Sequence, residues 1–252
     1  MNDPTFSRRK LIAGASAGLL LSGCDRLNQS PGFRSLLQRA EGLHLRSQRL
    51  IGGRDALARE FAPSQMSPVF RANGNVTAQD PEWQRHAASS FTNWALKVSG
   101  EVERPLALPL AALQVLEQRA QITRLDCVEG WSAIGQWQGP RLSTVLDLAG
   151  LKPAARYIVF HCADRFGDTP YYESIDLVDA FHPQTILAWR MNGHPLPVAH
   201  GAPVRLRVER QLGYKHAKFV MAVEARASLN GLYGGKGGYW EDHSDYAWYA
   251  GI

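Results

Sequence analysis

The sequence predicts an α+β protein, because short strand patterns and short helix patterns follow one another along most of the chain. Apolar residues alternate with polar ones in residues 94–98 and 204–208, which is typical of strands. Residues 186–191 and 195–198 flank Asn192-Gly193, a dipeptide typical of a β-hairpin turn. The chain has 252 residues, of which 45% are hydrophobic, and this composition indicates a globular protein with an ample core.

The first 23 residues are predicted to be a signal peptide. Ser7-Arg8-Arg9-Lys10 is a twin-arginine pattern, and the apolar run that follows, residues 11–21, is too short to span a bilayer as a helix. Leu21-Ser22-Gly23-Cys24 resembles a bacterial lipobox, in which the Cys receives lipid after cleavage. In this order the two patterns predict an exported protein on the periplasmic side of the inner membrane, anchored through lipidated Cys24.

Residues 24–69 are predicted to form a tether followed by a basic helix. Leucines at positions 36, 43, 50 and 57 recur at roughly helical spacing with arginines between them, and Gly52-Gly53 interrupts the pattern. The sequence is consistent with two environments for this helix. It packs on the domain with a solvated basic face, or its basic face meets anionic lipid or a membrane partner.

Residues 70–252 are predicted to form one further domain. Residues 110–116 are apolar enough for a short helix, and Ser143 is placed to cap a helix that runs to Ala149 and ends at Gly150. Residues 157–160 are typical of a buried strand, and residues 219–223 of a less regular one. The stretch 231–252 is rich in Gly, Tyr and Trp and has no periodicity, so it predicts no element.

Charge and motifs exclude several classes of function. The net charge of +5 is mild and scattered, so it does not indicate a nucleic-acid partner. The sequence has no P-loop, GxGxxG, HExxH, CxxC pair or GxSxG motif. Two features remain as carriers of chemistry, a pair of cysteines and a basic cluster.

The cysteines are Cys127 and Cys162. In an exported protein the simplest state of two such residues is a disulfide, and the alternatives are two buried thiols or a metal-bound or catalytic thiolate. A lone thiolate is a good soft ligand for a heavy metal when a cofactor supplies the other ligands.

The basic cluster consists of His200-Gly201-Ala202-Pro203-Val204-Arg205 and Gly213-Tyr214-Lys215-His216-Ala217-Lys218. Gly and Pro before a strand suit a turn that brings backbone close to a ligand, and the Arg205 guanidinium can bind a phosphate through two hydrogen bonds. Spacing alone favours a different interpretation, in which Arg205, Arg207 and Arg210 form the wet face of an edge strand.

Together, these segments resemble the molybdopterin-binding domain of the sulfite oxidase family, over residues 70–252. Within the family, the resemblance is to the bacterial branch that contains the catalytic subunit of protein-methionine-sulfoxide reductase. It rests on Asp126-Cys127-Val128-Glu129-Gly130-Trp131-Ser132 and on the two segments of the basic cluster, in this order. The resemblance implies the sulfite oxidase fold, with mixed sheets and short helices. It also implies mononuclear molybdenum held by the dithiolene of one pyranopterin.

The resemblance further implies a two-electron oxygen-atom transfer or reduction on a small or sulfur-containing substrate. Electrons would pass to or from an outside carrier, for which a membrane cytochrome is expected. Cys127 matches the metal ligand, and Tyr246 matches a catalytic tyrosine on the substrate side. The matched cofactor-binding positions are Asn73, His200, Arg205, His216, Ala217 and Lys218, with Cys162 and Asp164 as alternative contacts. A Cys127–Cys162 disulfide would exclude this arrangement and would indicate a non-catalytic binding module.

The sequence also departs from both relatives. Sulfite oxidases follow the ligand Cys with Gly-Asn-Arg-Arg, whereas Val128-Glu129 follows it here, and Ala72 stands before Asn73 where they have an Arg. A pocket without those arginines is expected to bind sulfite weakly. His200 stands where the reductase branch has Asn, and Val76-Thr77 stands where that branch has an aromatic-acidic pair. The resemblance therefore leaves the substrate open.

Overall fold

A computed structural model describes residues 30–252 of the chain. The predicted signal peptide and Cys24 lie outside the described residues. The described residues divide into two units, residues 30–51 and Gly52–Ile252. Within the described residues, no helix combines the length and the apolar character needed to cross a membrane.

The predicted basic helix is present as α1, Pro31–Gly52. The helix ends at Gly52-Gly53, as predicted. Gly53 adopts a φ of 74°, which is outside the range of a right-handed helix and ends it. Leu36, Leu43 and Leu50 are exposed along it. Leu57 lies beyond the helix end, so it does not belong to the apolar row as predicted.

The second unit holds five short α-helices and eleven strands, besides three 3₁₀ turns at Pro63–Gln65, Val198–His200 and Gly213–Lys215. In chain order these are α2 (Pro81–Ala88), β1 (Ala95–Gly100), β2 (Leu106–Pro109), α3 (Leu110–Val115), β3 (Gln118–Cys127), β4 (Trp131–Pro140), α4 (Leu142–Ala149), β5 (Tyr157–Phe166), β6 (Thr169–Asp176), α5 (Leu177–Ala180), β7 (Ile186–Ala188), β8 (Arg190–Met191), β9 (His194–Pro195), β10 (Arg205–Arg207), β11 (Val220–Arg226) and α6 (Tyr239–Ser244). The predicted α+β class, with mixed sheets and short helices, is confirmed.

A five-stranded mixed sheet, in the order β2-β1-β11-β5-β6, carries the main core. Strands β1 and β11 are parallel, and the other neighbours are antiparallel. Side chains alternate across β1, so Leu96 and Val98 are buried while Lys97 is exposed. Helix α4 buries one face against this core through the residues Leu142, Val145, Leu146 and Ala149.

Helix α4 ends at Gly150 as predicted, with a φ of 69°. Ser143 is not its N-cap, because the helix begins at Leu142, two residues before the first helical position that a cap at Ser143 implies. Arg141 occupies the capping position and makes no side-chain capping bond.

A second, antiparallel sheet has the order β3-β4-β8-β9, and β7 pairs with β10 beside it. Its longest part is the β3–β4 hairpin, which pairs Gln118 with Pro140 at one end and Cys127 with Trp131 at the other. The predicted hairpin around Asn192-Gly193 is confirmed, since Met191 pairs with His194 across that turn.

The second unit begins before residue 70, the predicted start of the domain. The Phe61 backbone N–H donates to the Ile122 carbonyl at 2.9 Å, and the Ser67 N–H donates to the Ile134 carbonyl at 2.9 Å. These bonds attach residues 60–67 to β3 and β4. These hydrogen bonds therefore place the start of the domain earlier in the sequence than the predicted boundary at 69/70.

The last residues, 232–252, form what we call the C-terminal segment. It contains α6, which no periodicity predicted. Its far end is tied to the turn before β11, because the Leu212 N–H donates to the Ala250 carbonyl at 2.9 Å and the Tyr214 hydroxyl donates to the Ala247 carbonyl at 2.6 Å. Residues 211–215 and the C-terminal segment thus form one packed layer.

Candidate functional site

A cleft opens at the end of β3, where Cys127 is the last strand residue. The space between its walls is about 680 Å³, part of it open to solvent. Five stretches of chain line the cleft: residues 73–75, the β3–β4 turn, the β5–β6 hairpin, the turn before β11 and the C-terminal segment. Gly213 allows the close approach of two of them, since a Cβ atom there would lie 3.1 Å from Leu125 Cδ2.

The structure brings most of the predicted site residues to this cleft. Those that line it are Asn73, Cys127, Asp164, His216, Lys218 and Tyr246. The other predicted residues, Cys162, His200, Arg205 and Ala217, are not among its lining residues. The sequence prediction therefore converges on one place in the fold, from segments that are far apart along the chain.

The Cys127 thiol is half-buried in the cleft. Burial raises the pKa of Cys127, while the backbone N–H of Glu129 and the charges of Arg71 and Arg205 favour the thiolate. Cys127 and Cys162 are both free thiols, so the structure does not support the disulfide alternative. Among residues 30–252 no group of three His, Cys, Asp or Glu side chains is placed to hold a metal ion. A metal bound at Cys127 would need its other ligands from a cofactor.

Lys218 is a clamp in the wall of the cleft. Its ammonium donates to the carbonyl oxygens of Asn73 at 2.8 Å, of Asn75, and of Ala199 at 2.7 Å. An ammonium has three N–H donors, so all of them are used within the protein. Burial and the charge of Arg205 lower the pKa of Lys218 to about 7. Lys218 therefore fixes the loops around the cleft and has no N–H left over for a phosphate.

Gly201 makes this clamp possible. Its φ is 105°, and a Cβ atom there would lie 2.8 Å from Lys218 Cβ, closer than non-bonded carbon atoms approach. The Gly in the His200-Gly201 turn thus lets the turn reach the Lys218 backbone.

Two neutral imidazoles face the same region. Burial, with Arg205 and Lys218, lowers the pKa of His200 to about 4, and burial with Arg207 and Arg205 lowers the pKa of His216 well below its usual value. His216 Nε2 lies 3.0 Å from the Gln211 carbonyl oxygen, so this nitrogen carries the proton and donates. The Nδ1 atom of each ring is buried and has no partner within the described residues.

Arg205 is a fully buried guanidinium, with 0% exposure. It donates to the His200 carbonyl at 3.1 Å and to the His216 carbonyl at 3.4 Å, and its Nε has no partner among the described residues. Burial and the neighbouring charge of Arg207 lower the pKa of Arg205 to about 9. A buried cation without a carboxylate is costly, so the fold is built here for an anion that the chain does not supply.

Arg207 is equally buried but differs in its partners. It binds Glu209 through two hydrogen bonds, of 2.8 Å from Nε and 2.5 Å from Nη2. Both guanidinium groups lie over the Trp137 ring, Arg205 at 4.9 Å and Arg207 at 4.4 Å. The interpretation of Arg205 and Arg207 as the wet face of an edge strand is wrong, because both side chains lie inside the protein.

The remaining predicted contacts fall into two groups. Asp164 is buried, burial raises its pKa to about 6, and its Oδ2 accepts from Asn75 Nδ2 at 3.0 Å. The Cys162 thiol lies beside it, and burial raises its pKa well above the usual value. Ala217 uses its own backbone within the fold, since its N–H donates to Lys215 O at 3.1 Å and its carbonyl accepts from Leu206 N at 2.8 Å. Its N–H is therefore not available to a ligand.

Sequence reasoning missed Glu129 and Trp240, which also line the cleft. Glu129 Oε2 accepts from Trp131 Nε1 at 2.9 Å, which holds the carboxylate two residues beyond Cys127. Its place inside the motif around Cys127 was the available signal. The sequence held no such signal for Trp240, because this residue lies in a stretch without periodicity.

The unpartnered atoms of the site test whether molybdopterin fits. Ten buried side-chain polar atoms have no partner in the described residues, and five of them belong to predicted site residues: Asn73 Oδ1, Asp164 Oδ1, His200 Nδ1, Arg205 Nε and His216 Nδ1. Native proteins leave few such atoms unpaired, so a cluster of them around one thiol indicates a polar ligand. A pterin offers ring donors and acceptors, its phosphate matches Arg205, and its dithiolene leaves Cys127 to complete the sulfur ligands. The residues fit the group.

His200 gives a prediction for the stability of the cofactor-free protein. Its folded pKa of about 4 lies below the usual value of 6.5, so the unfolded chain binds more protons between these values. The free energy of unfolding should therefore fall as the pH drops from about 6.5 to about 4. Urea unfolding midpoints across this range measure the effect, and His200→Gln should flatten the profile. An equally steep profile in that variant would contradict the assignment.

Comparisons with known proteins agree with this geometry. A family model described as oxidoreductase molybdopterin binding domain matches residues 84–231. A protein named as a protein-methionine-sulfoxide reductase subunit from Azospira oryzae is 39% identical over 198 residues, which is 76% of this chain and 70% of that protein. The protein-methionine-sulfoxide reductase catalytic subunit of Xanthomonas campestris is 38% identical over 141 residues, covering 52% of this chain.

The alignment spans 44% of the Xanthomonas protein, less than half its length. Among solved structures, the sulfane dehydrogenase SoxCD from Paracoccus pantotrophus superposes with a TM-score of 0.50 and 22% identity, covering 54% of this chain and 39% of that chain. That likeness supports the fold alone. From the matching family model, the relatives and the fit of the cleft to its cofactor, the chain belongs to the sulfite oxidase family and is a molybdopterin-dependent oxidoreductase.

Proposed function

We propose that this protein reduces sulfoxides, taking electrons from an external carrier. The observation that carries the proposal is the cleft wall beside Cys127, where no arginine stands among the described lining residues. The nearby Lys218 ammonium is fully used by three carbonyls. Among the described lining residues no cationic group has a free donor for a small anion such as sulfite, whereas a neutral sulfoxide requires none. The names of the two reductase relatives support the same substrate class.

The overall reaction consumes two electrons and two protons, and converts a sulfoxide into a sulfide and water. The bound cofactor supplies the two-electron exchange. Cys127 would hold it at the cleft as a thiolate, and Arg205 would neutralise its phosphate. Tyr246 faces the cleft with its ring 5.0 Å from Tyr214, and we assign its hydroxyl to the substrate oxygen. Glu129 also lines the cleft with an exposed side chain, and we assign to its carboxylate the exchange of protons with solvent.

A viologen assay tests the proposal. Molybdenum-loaded protein should oxidise reduced benzyl viologen when dimethyl sulfoxide or methionine sulfoxide is added. The same preparation should not reduce ferricyanide when sulfite is added. Sulfite-dependent turnover without sulfoxide reduction would overturn the substrate assignment and leave the cofactor assignment standing.

We also propose that the protein works on the periplasmic side of the inner membrane, held by lipid on Cys24 and supplied with electrons by a membrane cytochrome. The support is the twin-arginine pattern followed by the lipobox, because twin-arginine export carries folded proteins with their cofactor. Mass spectrometry of the membrane fraction should find acylated Cys24 as the N-terminal residue. A soluble periplasmic protein that is unmodified at Cys24 would contradict the anchor. Reduction of sulfoxide by isolated membranes should stop when cytochromes are oxidised chemically.

A further inference from the structure

Two of the five aromatic residues that line the cleft come from the C-terminal segment. Trp240 and Tyr246 line the cleft, yet both follow residue 231, where the matching family model ends. The rest of the lining, apart from the early residues 73–75, lies within the matched range. This part of the wall therefore lies outside the range that the family model matches.

A buried ion cluster fixes the segment to the domain next to Trp240. Lys215 Nζ donates to Glu173 Oε1 at 2.6 Å and to Glu241 Oε1 at 2.7 Å, and all three side chains are at most 1% exposed. Gly238 lies against both carboxylates, since a Cβ atom there would be 2.4 Å from Glu173 Oε1. Lys215 directly precedes His216 of the cleft. The cluster thus ties the residue after Trp240 to the turn that faces the cofactor.

The wall consists of aromatic rings that pack against one another. The rings of Trp240 and Tyr246 stack with centroids 5.8 Å apart and planes 26° apart. The Phe166 ring contacts the Trp240 ring edge-on, with centroids 5.0 Å apart. The Tyr239 ring is perpendicular to the Trp240 ring, with centroids 5.1 Å apart and planes at 90°. Packed aromatic rings bind apolar groups and make favourable contacts with thioether sulfur. A carboxylate on the substrate would face electron-rich ring faces and the carboxylate of Glu129.

We propose that Trp240 is a specificity-determining residue, whose stacked ring packs against an uncharged, apolar arm of the substrate, with the Glu173–Lys215–Glu241 cluster as its anchor. The proposal rests on the proposed sulfoxide reduction. It adds that the aromatic wall selects substrates that carry an uncharged, apolar arm. A substrate with a longer alkyl arm gains contact with the wall, whereas dimethyl sulfoxide gains almost none.

The test compares butyl methyl sulfoxide with dimethyl sulfoxide in molybdenum-loaded protein. In Trp240→Leu the ratio of the two kcat/KM values should fall about tenfold, because losing contact with a substituent in an apolar pocket costs about 10–200-fold. Trp240→Phe should restore most of the ratio. The matched control is Tyr233→Leu, an exposed aromatic of the same segment that stacks on Tyr172 outside the cleft. Its ratio should stay within about twofold of the unmodified protein.

A binding measurement separates this proposal from the proposed function. The dissociation constant of butyl methyl sulfide, the product with the longer arm, should rise about tenfold in Trp240→Leu and not in Tyr233→Leu. If the unmodified protein reduces neither sulfoxide, the proposed function fails while the binding comparison still decides the role of Trp240. If both the activity ratio and the sulfide binding are unchanged in Trp240→Leu, the wall does not select the substrate and the proposal is overturned.

Discussion

Replacing Arg205 by Gln should empty the site of its cofactor while changing the unfolding free energy of the cofactor-free protein by less than about 1 kcal/mol. The guanidinium of Arg205 is fully buried and has no carboxylate partner, so without an anion its charge contributes little to stability. Gln keeps an N–H donor for the carbonyl oxygens that Arg205 now contacts. The phosphate of the cofactor, in contrast, would lose its counter-charge inside the protein, which is a large loss of binding.

Arg207→Gln is the matched control, because Arg207 is equally buried, lies over the same Trp137 ring and stands two residues away. Its removal leaves the Glu209 carboxylate buried without its cation. Breaking such a pair typically costs about 3–5 kcal/mol. Arg207→Gln should therefore destabilise the cofactor-free protein strongly.

Urea unfolding of both variants, produced in a host that makes no pterin, measures these free energies. The molybdenum content of the same variants, produced in a host that makes the cofactor, measures how much cofactor they retain. Two results would contradict the assignment of Arg205 to an anion: full molybdenum content in Arg205→Gln, or equal destabilisation of the cofactor-free protein by the two substitutions.

Cys127→Ser should abolish turnover and leave a folded protein. The hydroxyl of Ser is a hard, weakly acidic group that does not replace a thiolate on a soft metal centre. Changes in the second shell of metal sites alone typically cost about 10–100-fold in affinity or activity, so losing the ligand itself should lower kcat by more than about 100-fold. Circular dichroism should be unchanged, because the half-exposed thiol contributes little to the core.

The control for this prediction is Cys162→Ser. Cys162 lies near the cleft but is not among its lining residues. It should keep most of its molybdenum and its turnover. Loss of activity in Cys162→Ser together with full activity in Cys127→Ser would exchange the roles of the two cysteines and overturn the assignment.

Local sequence patterns predict those elements that bury one face and expose the other to solvent, and these elements were enough to predict the fold class. Residues 94–98, the α4 pattern and the Asn192-Gly193 turn were of this kind. The β3–β4 hairpin was missed because β3 buries polar side chains. Gln121 and Thr123 lie inside the protein, and Gln121 Nε2 donates to Glu209 at 2.8 Å. Without apolar alternation, such a strand has no signal in one sequence.

Several of the site residues were predictable together because Cys127, His216 and Lys218 stand in short motifs, but their individual roles were not. Spacing could not distinguish Arg205, which has no carboxylate partner, from Arg207, which has one. Lys218 resembled a phosphate ligand, while the fold uses all of its donors on carbonyls. Trp240 reaches the cleft only through the packing of the C-terminal segment. These differences depend on tertiary contacts, which no local pattern records.

The most direct test of the central claim, that Cys127 and a pyranopterin hold molybdenum in this cleft, is X-ray absorption at the molybdenum edge on the exported protein and on Cys127→Ser. The account predicts about one molybdenum per chain, with one sulfur ligand beyond the dithiolene pair in the unmodified protein. That additional sulfur should be missing from any metal that Cys127→Ser retains. An identical sulfur shell in both proteins, or no molybdenum in a host that makes the cofactor, would contradict it.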